Sequence, residues 1–182
     1  SIDTSQVPWV IDTPSTNGTT PVAPVAVTER EYNFPETFAN QTDPTQPYLN
    51  LITEDEKQIV RDIYEIYSQN SGFEFVESLV GGGTKIGKGD LRALSPSIGP
   101  DDGVAGLGGA GAVMLNGALY NQANRFFGDG FTGVMFHELG HSLGLSHAYD
   151  LPATMGGGLP NDLQLGDHDI VHLQRIVPAN AT

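Results

Sequence analysis

The chain has no cysteine among its 182 residues, so no disulfide staples it and no thiolate can act as a nucleophile or metal ligand. Positive charge is scarce: 8 lysines and arginines stand against 22 aspartates and glutamates, a formal charge of −14. That balance argues against nucleic acid or an anionic membrane surface as a partner and favours solubility. No apolar run approaches the roughly 20 residues needed to span a bilayer, so membrane insertion is not expected. No signal peptide is visible and the first residue is Ser1, which fits a processed piece of a larger precursor. Trp9 is the lone tryptophan, and all five histidines lie at or after position 137. Glycine, by contrast, is abundant at 23 residues, with 12 prolines. Low charge with much glycine suits a secreted, loop-rich protein.

The length suits one domain with a sizeable core plus an extended arm. Residues 1–28 are rich in Thr, Pro, Ser and Val, a mix that favours extended chain over helix or packed sheet. They read as an arm, a linker or a propeptide remnant, which Trp9 with Val7, Val10 and Ile11 could anchor on the domain formed by residues 29–182. Alternation over Arg30–Phe34 and Phe73–Ser78 predicts strands, and Lys85–Leu94 and Ala112–Leu115 read as two more. Residues 35–50 and 117–130 read as loops, and Gly81-Gly82-Gly83 as a turn that lacks the ending of a phosphate loop. Thr53 followed by Glu56 predicts a capping box, opening an amphipathic helix over 54–69 with Ile59, Val60, Ile63, Ile66 and Tyr67 inward. A last helix capped by Asp167 would present Ile170, Leu173, Ile176 and Val177 and stop at Pro178. The element order is that of an α/β domain with its sheet beside long helices.

The chemistry concentrates in His137-Glu138-Leu-Gly-His141-Ser-Leu-Gly144-Leu-Ser-His147. Histidines four apart on a helix share a face, so both imidazoles can reach one metal ion. Glu138 projects beside that metal, where it can handle the proton of a bound water. Gly144 can adopt a backbone conformation closed to other residues, ending the helix so that His147 returns as a third ligand. Three protein ligands with an open fourth position describe a catalytic zinc, whereas structural sites are closed by four.

With Met155 following in Asp150-Leu-Pro152-Ala153-Thr-Met155, this pattern resembles the metzincin zinc endopeptidases, and within them the matrixin-like branch. The short step from His147 to Met155 and the stretch Gly166-Asp167-His168-Asp169-Ile170 are similar to that branch, and the strong match covers about residues 131–177. The resemblance implies a zincin fold: a twisted, mostly parallel sheet over a zinc cleft, with an active-site helix and a C-terminal helix. It also implies an antiparallel edge strand, expected at Gly111–Gly117, that pairs with the substrate backbone. Met155 would form a packing floor beneath the zinc without binding it. The resemblance has limits. Without cysteine, the thiol latency of animal matrixins is impossible, so any latency must come from elsewhere, such as the N-terminal arm lying across the cleft. Their upstream histidine-rich structural zinc site is not expected, and Gly157 stands where serralysins often carry a tyrosine ligand.

The expected activity is peptide-bond hydrolysis, with Glu138 as general base and His137, His141 and His147 holding one zinc. The substrate would be a protein or peptide, and the enzyme a secreted, extracellular monomer. Asp101, Asp102, Asp129 and Asp150 are candidate calcium ligands, though no complete calcium loop is present. His168 and His172 are one turn apart but lack a third partner. Asn17, Asn40 and Asn180 begin glycosylation-type triplets. A peptidase taking a glutamate from a later helix as its third ligand is disfavoured, because His147 fills that place. The rival of a different kind is a secreted, metal-stabilised binding or adhesion module with the same fold and no turnover; loss of the base would mark it, and Glu138 is present.

Overall fold

The computed structural model describes residues 27–120 and 130–145. Residues 1–26 of the arm, His147, Met155, Gly157, Asp129, Asp150, His168, His172, Asn17, Asn180 and the predicted last helix lie outside them. Within them, β1 (Thr28–Asn33), β4 (Phe73–Glu77), β5 (Thr84–Gly89), β6 (Gly106–Gly108) and β7 (Ala112–Asn116) form one sheet. Its order is β4-β1-β5-β7-β6, parallel throughout except that β6 runs antiparallel to β7. Two short strands, β2 (Thr37–Phe38) and β3 (Tyr48–Leu49), pair antiparallel nearby. Helices α1 (Glu54–Gln69) and α2 (Gly130–Ser142) complete the described elements. This is the mixed α/β architecture anticipated from the sequence, with an antiparallel edge.

Period-2 alternation in β7 sorts the core into two layers. Val113 and Leu115 join the main cluster with Ile59, Val60, Ile63 and Tyr67 of α1 and Met135, Phe136 and Leu139 of α2. Met114 points the other way, into a smaller cluster with Phe38 and Leu91. Helices therefore cover one face of the sheet, and the β2–β3 hairpin with the following loops covers the other. Gly87 on β5 is needed for the second layer, since a Cβ there would stand 2.6 Å from the Phe38 ring.

α1 begins as expected. The Thr53 hydroxyl accepts from the Glu56 amide at 3.2 Å and the Glu56 carboxylate accepts from the Thr53 amide at 3.0 Å. Its buried stripe is Ile59, Val60, Ile63, Tyr64 and Tyr67, with Ile66 only partly covered.

Three expectations need correction. The antiparallel edge is Gly106–Gly108 and not Gly111–Gly117: β7 lies inside the sheet, parallel to β5. Three residues, two of them glycine, carry almost no apolar pattern, so the edge was hidden within a glycine-rich stretch. The strand expected over Lys85–Leu94 ends at Gly89, where the Asp90 carboxylate caps a single 3-10 turn over Leu91–Ala93. Residues 35–50 also contain the β2–β3 pair, too short for a periodic signal.

Candidate active site

α2 is apolar nearly all round and is buried over most of its length, including Phe131, Met135, Phe136, Leu139 and Gly140. It is a central helix held by tertiary contacts. From α1, Tyr67 stacks on Phe136 with ring centroids 5.1 Å apart and donates its hydroxyl to the Phe136 carbonyl at 2.9 Å. That bond anchors the backbone one residue before His137.

His137 and His141 sit one turn apart, rings nearly perpendicular at 86°, with their Nε2 atoms 3.1 Å apart. Two zinc–imidazole bonds of about 2.0–2.1 Å at a tetrahedral angle would set the nitrogens roughly 3.3 Å apart. The pair thus already has nearly the spacing that one zinc ion demands. His141 Nδ1 lies 2.9 Å from the Leu145 carbonyl. A carbonyl can only accept, so Nδ1 carries the proton and the Nε2 lone pair is left facing His137, the tautomer a metal ligand needs.

The turn that supplies this carbonyl is built by Gly144, whose φ is +91°. The Leu145 amide donates to the Gly140 carbonyl at 3.1 Å and the Gly144 amide to the His141 carbonyl at 3.0 Å. These bonds form a Schellman cap, which requires a left-handed residue at position 144. Gly144 therefore ends α2 and, through Leu145, orients His141. Leu145 was missed in the sequence because its contribution is a backbone carbonyl, which no residue type advertises.

Glu138 lies between the two histidines in sequence and is buried to 9% exposure. Burial pushes its carboxyl above the ordinary glutamate range, and the nearby His141 pulls it partly back. Its neighbours include β6: Gly106 and Gly108 face α2, while Leu107 between them packs into the second layer. Sequence reading did not single out these two glycines. β6 has β7 on one side and no described strand on the other.

Among the described residues, no three His, Cys, Asp or Glu side chains converge on a metal position. The third expected ligand, His147, lies outside those residues. Of the candidate calcium ligands, Asp102 accepts the Gly99 amide at 2.7 Å, an interaction within its own loop. Asn40 is likewise engaged in its own turn, accepting from the Thr42 and Asp43 amides.

A mixed sheet with one antiparallel edge, laid against a helix carrying a convergent histidine pair and a buried glutamate, is consistent with a matrixin catalytic domain. Comparison with known proteins points the same way. The chain is similar to interstitial collagenase of Sus scrofa, at 32% identity over 139 residues, covering 70% of this chain and 29% of that protein. It is also similar to interstitial collagenase of Oryctolagus cuniculus, at 38% identity over 98 residues, 49% of this chain and 20% of that protein. No family model matches the chain. The likeness supports a matrixin-like metalloprotease at the level of the family, and the matched region spans less than a third of either relative's length.

Proposed function

We propose that the chain is a zinc-dependent endopeptidase of matrixin-like type, acting outside the cell on protein or peptide substrates. The observation that carries the reading is the 3.1 Å approach of the two Nε2 atoms, with one tautomer set by the Leu145 carbonyl and a buried carboxylate beside them. His137, His141 and His147 would hold one zinc, and Met155 would pack beneath it. When bound, zinc acidifies a water and polarises the scissile carbonyl. Glu138 accepts the proton of the attacking water and returns it to the departing amine. β6, unpaired with any described strand on its outer side, receives the substrate as an added strand and holds its backbone in register.

Calcium binding, a monomeric state and obstruction of the cleft by the N-terminal arm complete the proposal. Extracellular action fits the collagenase likeness, and none of the described helices is long and apolar enough to cross a membrane.

Cleavage of an unfolded protein, abolished by a chelator and restored by zinc, is the expected result. Glu138→Gln should keep zinc while losing turnover by about a hundredfold or more, the usual contribution of a positioned base. His141→Ala should lose the metal itself, read by elemental analysis. A chain lacking residues 1–26, with zinc at full occupancy and no cleavage, would favour the binding-module alternative instead.

A further inference from the structure

At Gly108 the edge strand approaches Glu138 more closely than a side chain would permit, and at Gly106 nearly so. A Cβ built on Gly108 would stand 2.9 Å from Glu138 Oε2 and closer still to the Glu138 carbonyl oxygen. One built on Gly106 would stand 3.0 Å from Glu138 Cγ and 3.3 Å from Oε1. At Gly108 the clash is with backbone, which no side-chain rotation relieves, so the strand or the helix would have to shift. At Gly106 the nearest atoms belong to the Glu138 side chain, which itself would have to give way. Gly109 and Gly111, a few residues along the same hairpin, have nothing within 4 Å of such a Cβ. Along this hairpin the crowding is confined to the two glycines that face the carboxylate. Register explains the choice, because Gly106 and Gly108 pair with Leu115 and Val113, whose side chains also face the helices, while Leu107 faces away.

We propose that Gly106 and Gly108 are positioning residues for Glu138: their missing side chains let the edge strand close onto α2 and clamp the carboxylate beside the backbone to which substrate adds. The inference rests on the endopeptidase reading. It goes further by assigning the placement of the base to two residues outside the histidine motif. Glycine in a strand interior weakens the strand, and close backbone approach is what that loss permits here. A carboxylate wedged between strand and helix has little freedom to leave the line of a substrate bound on β6, and misplacement of about 1 Å can cost a hundredfold in rate.

The test compares Gly108→Ala, Gly106→Ala, Gly109→Ala and Gly111→Ala in the full chain loaded with zinc. For each, kcat and KM on one peptide are measured together with zinc content and amide hydrogen exchange over residues 105–109. Gly108→Ala should lower kcat by about a hundredfold, with zinc content unchanged, KM within about twofold and faster exchange in β6. Gly106→Ala should fall between it and the two controls, which should match the parent chain. If the parent cleaves and Gly108→Ala and Gly106→Ala keep its kcat, the positioning role is wrong and the endopeptidase reading stands. A proportional loss of zinc that accounts for the lost kcat would also overturn it, by reducing the glycines to general structure. A zinc-loaded parent with no cleavage overturns both.

Discussion

At the scale of single residues, Gly144 has two roles that one substitution would expose together. Its φ of +91° is a conformation in which a Cβ crowds the following carbonyl, costing about 1–2 kcal/mol. Gly144→Ala should lower the stability of the metal-free chain by about that amount in chemical denaturation. It should also displace the Leu145 carbonyl from His141, and loss of such a partner typically weakens metal binding by about 10–100-fold, readable by competition with a chromophoric chelator. The first role was legible in the sequence, because a glycine three residues after a histidine pair signals a turn. The second was not, since the partner of His141 is a main-chain atom.

At the scale of elements, α1, β5 and the segment leading to α2 are joined by a buried ion pair. Lys88 Nζ lies 2.6 Å from Glu56 Oε1 and donates to the Tyr120 carbonyl at 3.1 Å. Both residues are almost wholly buried, and Glu56 Oε2 has no hydrogen-bond partner among the described residues. Removing one partner of a buried pair leaves a charge uncompensated at a cost of about 3–5 kcal/mol. Lys88→Met should show a loss of that size in urea denaturation, and adding Glu56→Gln should recover part of it while keeping the capping box. Glu56 was recognisable from its place three residues after Thr53. Its second partner, 32 residues away on another element, was not recognisable, because local pattern carries no information about which strand a helix will face.

At the scale of the whole molecule, carboxylates set the response to pH. Arg61 bonds both oxygens of Glu77, at 2.7 and 3.0 Å, and holds its carboxyl below the ordinary range. Arg92 does the same to Asp90. A carboxyl whose folded pKa is depressed contributes stability above its unfolded value, and that contribution is lost as pH falls through the folded one. The contribution of these two pairs should therefore decline on acidification below about pH 4, where the unfolded carboxylates titrate, while the raised Glu138 carboxyl acts in the opposite sense. Both groups are partly exposed, so each contribution is small. Thermal melts should show Glu77→Gln losing less stability than the parent chain between about pH 5 and about pH 2.

What the sequence determined by itself is whatever can be written in a few consecutive residues. The α1 stripe and its cap, the alternation of β1 and β4, the short apolar run of β7, and the spacing of His137, Glu138, His141 and Gly144 all follow from local period and local chemistry. Only the tertiary structure decided which strand forms the edge. β6 is three residues with one apolar side chain; it pairs with the free side of β7, and at Gly108 α2 leaves room for backbone alone. The surroundings of Glu138 were decided in the same way, by a strand some thirty residues earlier in the chain whose fitness lies in the side chains it lacks.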